Sequence, residues 1–377
     1  MSVPPPGPSP PPAGGPSSPM AAAEAAVARR APAPGPAAAS SGPPAKVRDP
    51  YFDNAKFLAI VLVVVFHAVE SLRDVPAVRA AYVFVYLFHM PVFIVITGYL
   101  SRGFTRSADR TRKLVVQLLI PYAIFETLYS LYFWAVSGGK PLEISLQRSS
   151  YLMWFLLALA LWRLSTPLWQ RLRWPLGVAV GVCLLAFMTD LPRDLTLPRL
   201  LGLLPFYVLG LMLRPEHFEP LKRPAARAAG ALILAAAFLG ALTVARGWST
   251  DLIFWNDPHH ALGMSNVTGT VVRTTMLAAA TVLVFAFLAV VPARRTWFTG
   301  LGAATLYAYL FHGFIVQMLR TVDFYEIERL HTVAGAVAVG AAAVLVAVVL
   351  CTRPVVRATR WLVEPKVDWL FAERTKS

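Results

Sequence analysis

Long apolar runs separated by short, basic loops organise this chain from about residue 50 onward. An α-helix needs about 20 such residues to cross the hydrocarbon core of a bilayer. The runs predict ten helices, at roughly 54–71, 81–100, 114–136, 151–165, 175–189, 199–213, 227–245, 271–291, 303–319 and 333–352. Within lipid every backbone N–H and C=O has to be satisfied inside the protein, and segments of this length achieve that as helices. The expected fold class is all-α: a polytopic membrane helical bundle with about ten transmembrane helices. No repeat of 20–50 residues stands out.

Charge then orients the bundle. If the N-terminus is cytoplasmic, 24 basic residues fall on the inner side and 10 on the outer side, with Lys56 inside the first span. That is the asymmetry the positive-inside rule requires, so both termini are expected in the cytoplasm, in a multi-pass protein of the plasma (cytoplasmic) membrane. The 35 Lys and Arg against 20 Asp and Glu are dispersed among short loops rather than gathered on one domain, which argues for topology and against nucleic acid.

Composition agrees, with 57% hydrophobic and 15% charged residues. Residues 1–46 differ: 14 of the 31 prolines lie there among Ala, Gly and Ser, a composition that builds no core and predicts a disordered cytoplasmic tail. It lacks the basic and short apolar regions of a conventional signal peptide. A transmembrane domain over 47–353 and a basic tail over 354–377 complete the expected organisation. Cys183 and Cys351 fall in separate apolar runs, which fits neither a disulfide framework nor a metal site.

Candidate chemistry begins in the first run. Lys56 and His67 stand eleven residues apart, which on an α-helix is three turns plus roughly 20° and a rise of roughly 16 Å. Both side chains therefore face one way at different depths. Ionisable groups in a spanning helix are costly and usually face a cavity or a partner, so the pair points to a buried polar pathway. Asp53 precedes Lys56 by three residues and Glu70 follows His67 by three, each within reach of its neighbour. A neutral imidazole suits general-base work near pH 7, and Glu70 is placed to orient or charge-tune it.

The run DNAKFLAIVLVVVFHAVESL resembles the start of the acyltransferase-3 family of integral membrane O-acyltransferases, whose first helix carries a basic residue, ten residues and a histidine. Lysine at the basic position looks more like the fucose 4-O-acetylase-like branch than the arginine many members use. LFHMPVFIVITGYL at 87–100, YLMWFLLALAL at 151–161 and LYAYLFHGFIV at 306–316 are similar to three further family segments, in the family's order. Thr97 replaces a frequent serine and keeps the hydroxyl. The resemblance covers about residues 49–352. It implies an O-acetyltransferase that takes an acyl group from cytoplasmic acetyl-CoA, a donor substrate rather than a resident cofactor, and passes it to a hydroxyl of a sugar or cell-envelope glycan.

On that reading His67, Lys56 and Glu70 are the catalytic candidates, while Asp53, His89, Arg102, Arg106 and His312 serve the donor or its channel. The basic loop at 102–113 combines a topology signal with guanidinium groups suited to phosphates. Trp255, Asp257 and His259, in the long loop at 246–270, are candidates for holding the acceptor. Trp154 and Phe155 read as packing or interface aromatics, and the GVAVG run at 177–181 as a helix-packing face. The alternative from another class is a proton-coupled secondary transporter relaying through His67, Glu70 and His312, although matching inverted repeats and broken helices are not evident.

Overall fold

The computed structural model describes residues 49–104, 107–367 and 369, together with Met1, Val3 and Gly7. Most of the proline-rich segment over 1–46, Arg106 and the end of the basic tail lie outside the described residues. The described residues from Asp49 onward form one compact unit.

Among the described residues the structure is helical throughout, without strands. The main helices are α1 (Pro50–Ala68), α2 (Pro76–Ser101), α3 (Asp109–Ala135), α4 (Trp154–Trp169), α5 (Pro175–Ala186), α6 (Leu197–Gly202), α7 (Leu204–Met212), α8 (Pro224–Val244), α9 (Asn266–Val290), α10 (Thr305–Thr321), α11 (Val333–Leu350) and α12 (Arg353–Val363). Prolines open several of them. Pro50, Pro76, Pro175 and Pro224 each sit in a first turn, where the missing N–H costs nothing and the fixed φ already suits a helix. At α1 the Asp49 carboxylate also accepts from the Tyr51 N–H at 2.9 Å.

Each of the ten apolar runs has a helical counterpart, but their lengths differ. Among the described residues six helices (α1, α2, α3, α8, α9 and α11) are long and apolar enough to cross a membrane, and α6 with α7 makes a seventh candidate if the pair, bent by 58°, is one span. The run at 199–213 is thus a broken helix where the hydropathy predicted an unbroken one. Together these helices make a multi-pass membrane bundle.

α2 lies at the centre, packed against α1, α4, α7, α8 and α9. In its apolar window 72% is buried within the protein, against 11% in α8 and 22% in α11. Apolar faces left this bare require lipid around them. The close approach of α2 and α7 depends on glycines. A Cβ on Gly98 would collide with the Tyr207 carbonyl of α7, and one on Gly210 with the Val95 carbonyl of α2, so both backbones meet with no side chain between them. The GVAVG run does not behave this way. Nothing lies within 4 Å of a Cβ built on Gly177 or Gly181, and α5 instead buries Ala179 and Cys183. Its small residues were expected to pack, but its glycines face open space.

Candidate active site

α1 runs from its cap at Asp49 to Ala68, and two ionisable pairs occupy its ends. At the N-terminal end Lys56 Nζ contacts Asp53 Oδ1 at 2.8 Å. At the other end His67 meets Glu70, but not through a shared helical face. The helix has stopped, and Glu70 opens a 3₁₀ turn, Glu70–Leu72, that folds its carboxylate back beside the ring. His67 Nδ1 lies 3.6 Å from Glu70 Oε2, within ion-pair reach and longer than a formed hydrogen bond.

Glu70 is held from two other directions. Tyr82 of α2 donates to Oε1 at 3.2 Å, and Arg320, in the last turn of α10, donates from Nη2 to Oε2 at 2.9 Å. Burial pushes the Glu70 carboxyl up, but the His67 ring and the Arg320 guanidinium outweigh it and bring the value down to about 2. It is therefore an anion across the physiological range.

A cavity of about 280 Å³ opens beside this end of α1. His67 and Glu70 form one wall, with Tyr86, His89 and Pro91 of α2; Tyr151, Trp154 and Phe155 come from the start of α4, Arg199 and Leu203 from the broken pair, Ile253, Phe254 and Trp255 from the α8–α9 loop, and Tyr309 from α10. Trp154 and Phe155 therefore line the cavity in addition to packing. Two wall residues hold left-handed backbone, Tyr151 at φ 47° and Trp255 at φ 54°. That conformation costs a bulky L-residue about 1–2 kcal/mol, so the surrounding structure imposes it. At Tyr151 it accompanies a hydroxyl 3.4 Å from His67 Nδ1, while the Tyr86 hydroxyl is 3.3 Å from the same nitrogen.

Three histidines sit close to one another, and their hydrogen bonds separate their roles. His89 Nδ1 donates to the Val85 carbonyl at 2.9 Å and His312 Nδ1 to the Ala308 carbonyl at 2.8 Å, each bond one turn back along its own helix. Both rings are thereby fixed as ordinary helix-bonded imidazoles. All three leave Nε2 without a hydrogen-bond partner among the described residues, but His67 alone turns Nδ1 toward a carboxylate and two phenols. His67 and His89 line the cavity, whereas His312 packs behind His67 with ring centroids 5.5 Å apart. A base gains from an anion that stabilises its protonated form, and of the three rings His67 is the one that both lines the cavity and faces a carboxylate.

The remaining sequence candidates divide. Lys56 and Asp53 stay at the far end of α1 and do not line the cavity. Arg102 donates to the Tyr99 and Leu213 carbonyls and lies 3.9 Å over the Tyr99 ring, tying the ends of α2 and α7 together. Trp255 forms part of the wall. Asp257 points elsewhere, accepting from Arg193 at 3.2 Å, and His259 is buried against Gly269 and Phe187 behind the wall. Among the described residues no three His, Cys, Asp or Glu side chains converge as metal ligands would. Sequence reading missed Tyr86, Tyr151, Arg199 and Arg320. Their only advance signal was polarity or aromaticity near the ends of apolar runs, which membrane interfaces produce anyway.

Residues 49–352 match the acyltransferase-3 family, described as an acyltransferase domain, and the chain belongs to that family. It is similar to the nodulation protein NolL of Sinorhizobium fredii (strain NBRC 101917 / NGR234), at 26% identity over 304 residues that cover 74% of this chain and 81% of NolL. No solved structure matches it. The protein is thus a multi-pass membrane acyltransferase.

Proposed function

We propose that the protein is an O-acetyltransferase of the plasma membrane, moving an acetyl group from cytoplasmic acetyl-CoA to a hydroxyl of a sugar or envelope glycan, with both of its own termini in the cytoplasm and ten crossings between them. One observation carries the reading: His67 lines an aromatic-walled cavity with its Nδ1 side facing the Glu70 carboxylate and with no hydrogen-bond partner for Nε2 among the described residues.

With the ring proton on Nδ1, facing Glu70, the Nε2 lone pair takes the proton of the acceptor hydroxyl as that oxygen attacks the thioester carbonyl carbon. The imidazolium so formed is stabilised by Glu70, which Arg320 and Tyr82 keep in place. As the C–S bond breaks, Nε2 returns the proton to the departing sulfur, so ester and thiol leave and the ring is neutral again. Aromatic walls exclude water that would hydrolyse the thioester and offer flat faces to a sugar ring.

Lys56 fits the donor end. It stands roughly 16 Å along α1 from His67, so a donor whose phosphates rest near Lys56 has to present its thioester on an arm of about that length.

The test is transfer by purified protein in liposomes, with acetyl-labelled acetyl-CoA and a panel of methyl glycosides that includes fucose. Labelled, alkali-labile ester on a glycoside is the expected result. Absence of ester on every member, with protein correctly inserted, would overturn the reading. Proton-driven uptake of a solute by the same liposomes would favour a transporter.

A further inference from the structure

Arg199 is a cation on the cavity wall that no carboxylate among the described residues contacts directly. Of the nearby cations, Arg320 pairs with Glu70 and Arg193 with Asp257, while Arg273, beside Trp255 but not on the cavity wall, donates to the Leu252 and Asp257 carbonyls. Among the described residues Arg199 has no acidic oxygen within 4.0 Å. Its Nε donates to the Phe254 carbonyl at 3.1 Å and its guanidinium lies 5.0 Å from the Trp154 ring centroid, while the two terminal nitrogens make no hydrogen bond among the described residues. A guanidinium among aromatic rings with no carboxylate in direct contact is costly to keep, and such a group is most useful where negative charge appears only transiently.

Its placement is fixed by the break in the helix. α6 stops at Gly202 and α7 departs at 58°, so the short α6 sets Arg199 on the wall of the cavity that also holds His67. Phe254, whose carbonyl holds Nε, packs its ring 5.9 Å from Tyr86, and the Tyr86 hydroxyl lies 3.3 Å from His67 Nδ1. Base and cation are therefore linked through one loop and one tyrosine.

We infer that Arg199 is a catalytic residue that stabilises the oxyanion of the tetrahedral intermediate. The inference rests on the acyl-transfer reading above. When the acceptor oxygen bonds to the thioester carbon, the carbonyl π electrons move to oxygen, and the free Arg199 N–H groups donate to that oxygen. The acceptor proton resides on His67 Nε2 meanwhile. When the C=O re-forms, the C–S bond breaks and the sulfur takes the proton from His67, leaving Arg199 unchanged. A fixed donor pair aimed at charge that exists only in the transition state raises kcat more than it tightens substrate.

The experiment compares Arg199→Gln and Arg199→Lys with wild type in the liposome assay, using acetyl-CoA and whichever methyl glycoside the wild type accepts. Glutamine keeps an N–H for the Phe254 carbonyl but removes the charge; lysine keeps the charge. For Arg199→Gln we expect kcat to fall on the order of 10²–10³-fold with both KM values within about threefold, and Arg199→Lys to retain at least about tenfold more activity than Arg199→Gln. Rates are normalised to protein eluting as a single species, and Arg199→Lys carries the test if the glutamine variant does not. Near-normal kcat in Arg199→Gln, equal loss in both variants, or loss confined to the KM of the glycoside would overturn the oxyanion role. A wild-type protein that transfers nothing would instead sink the acyl-transfer reading, so the two failures are distinguishable.

Discussion

Arg320 Nη2 and Glu70 Oε2 lie 2.9 Å apart although 250 residues separate them in sequence, and this contact ties the C-terminal end of α10 to the turn that holds the His67 ring. The pair makes Glu70 a fixed anion. It also means that changing either partner should act on catalysis through His67.

Glu70→Gln should lower kcat on the order of 10²-fold, because the neutral amide no longer stabilises an imidazolium. Arg320→Met should cost less, and the double variant little more than Glu70→Gln alone, since both act through one ring. Additive losses would show that Arg320 acts elsewhere. The pair also has a pH signature. The Glu70 value in the folded protein, about 2, lies below its ordinary 4.5, so its contribution to stability is present above pH 4.5 and is lost as the pH falls toward 2. Melting curves from pH 6 down to pH 3 should therefore fall more for the wild type than for Glu70→Gln.

His67→Asn should abolish transfer, with an expected loss of about 10²–10⁴-fold, while the protein still inserts. His312→Asn should lose far less, because that ring is bonded along its own helix and packs behind His67. Lys56→Ala should chiefly raise the KM for acetyl-CoA, and Lys56→Arg should restore most of it. Steady-state kinetics of the three positions separate base, neighbour and donor contact.

His331 ties two loops through both ring nitrogens, contacting Asp74 Oδ2 at 2.9 Å and the Tyr325 carbonyl at 2.7 Å. Both partners are acceptors, so the protonated ring fits best, and the Tyr325 carbonyl followed by the Asp74 carboxylate raises its value. A raised folded value places this contribution below the ordinary 6.5 and removes it as the pH rises through the folded value. His331→Phe should therefore lower the melting temperature at pH 5.5 more than at pH 8.5. An equal effect at both would refute the protonated bridge.

Gly98→Ala should destabilise the bundle by about 1–3 kcal/mol, since a methyl group there meets the Tyr207 carbonyl. Gly177→Ala, facing open space, should be neutral or stabilising by up to about 1 kcal/mol. Thermal melts in detergent would report both, and comparable destabilisation by the two would contradict the packing described.

The proposed orientation has its own check. Alkaline phosphatase fused after residue 260 should be active and one fused after residue 108 silent; the reverse pattern would invert the topology.

Hydropathy and charge by themselves determined the class of this protein. Every apolar run is helical, the one at 199–213 as a broken pair, because a bilayer leaves an unpaired backbone unsatisfied, and the Lys56 and His67 spacing singled out α1 because ionisable residues are scarce in such runs. The sequence also placed Glu70 beside His67, though by way of a helical face, whereas a helix end and a 3₁₀ turn bring them together. Tertiary structure decided the rest. Tyr86, Tyr151, Arg199 and Arg320 lie on four different segments, and only packing shows that the first three share a cavity with His67 while Arg320 fastens its carboxylate partner. Packing also separated Gly98 and Gly210, which permit a close crossing, from the equally small Gly177 and Gly181, which face nothing. Local pattern records which residues avoid water. It does not record which of them meet, because that depends on helix ends, breaks and crossings set by contacts distant in sequence.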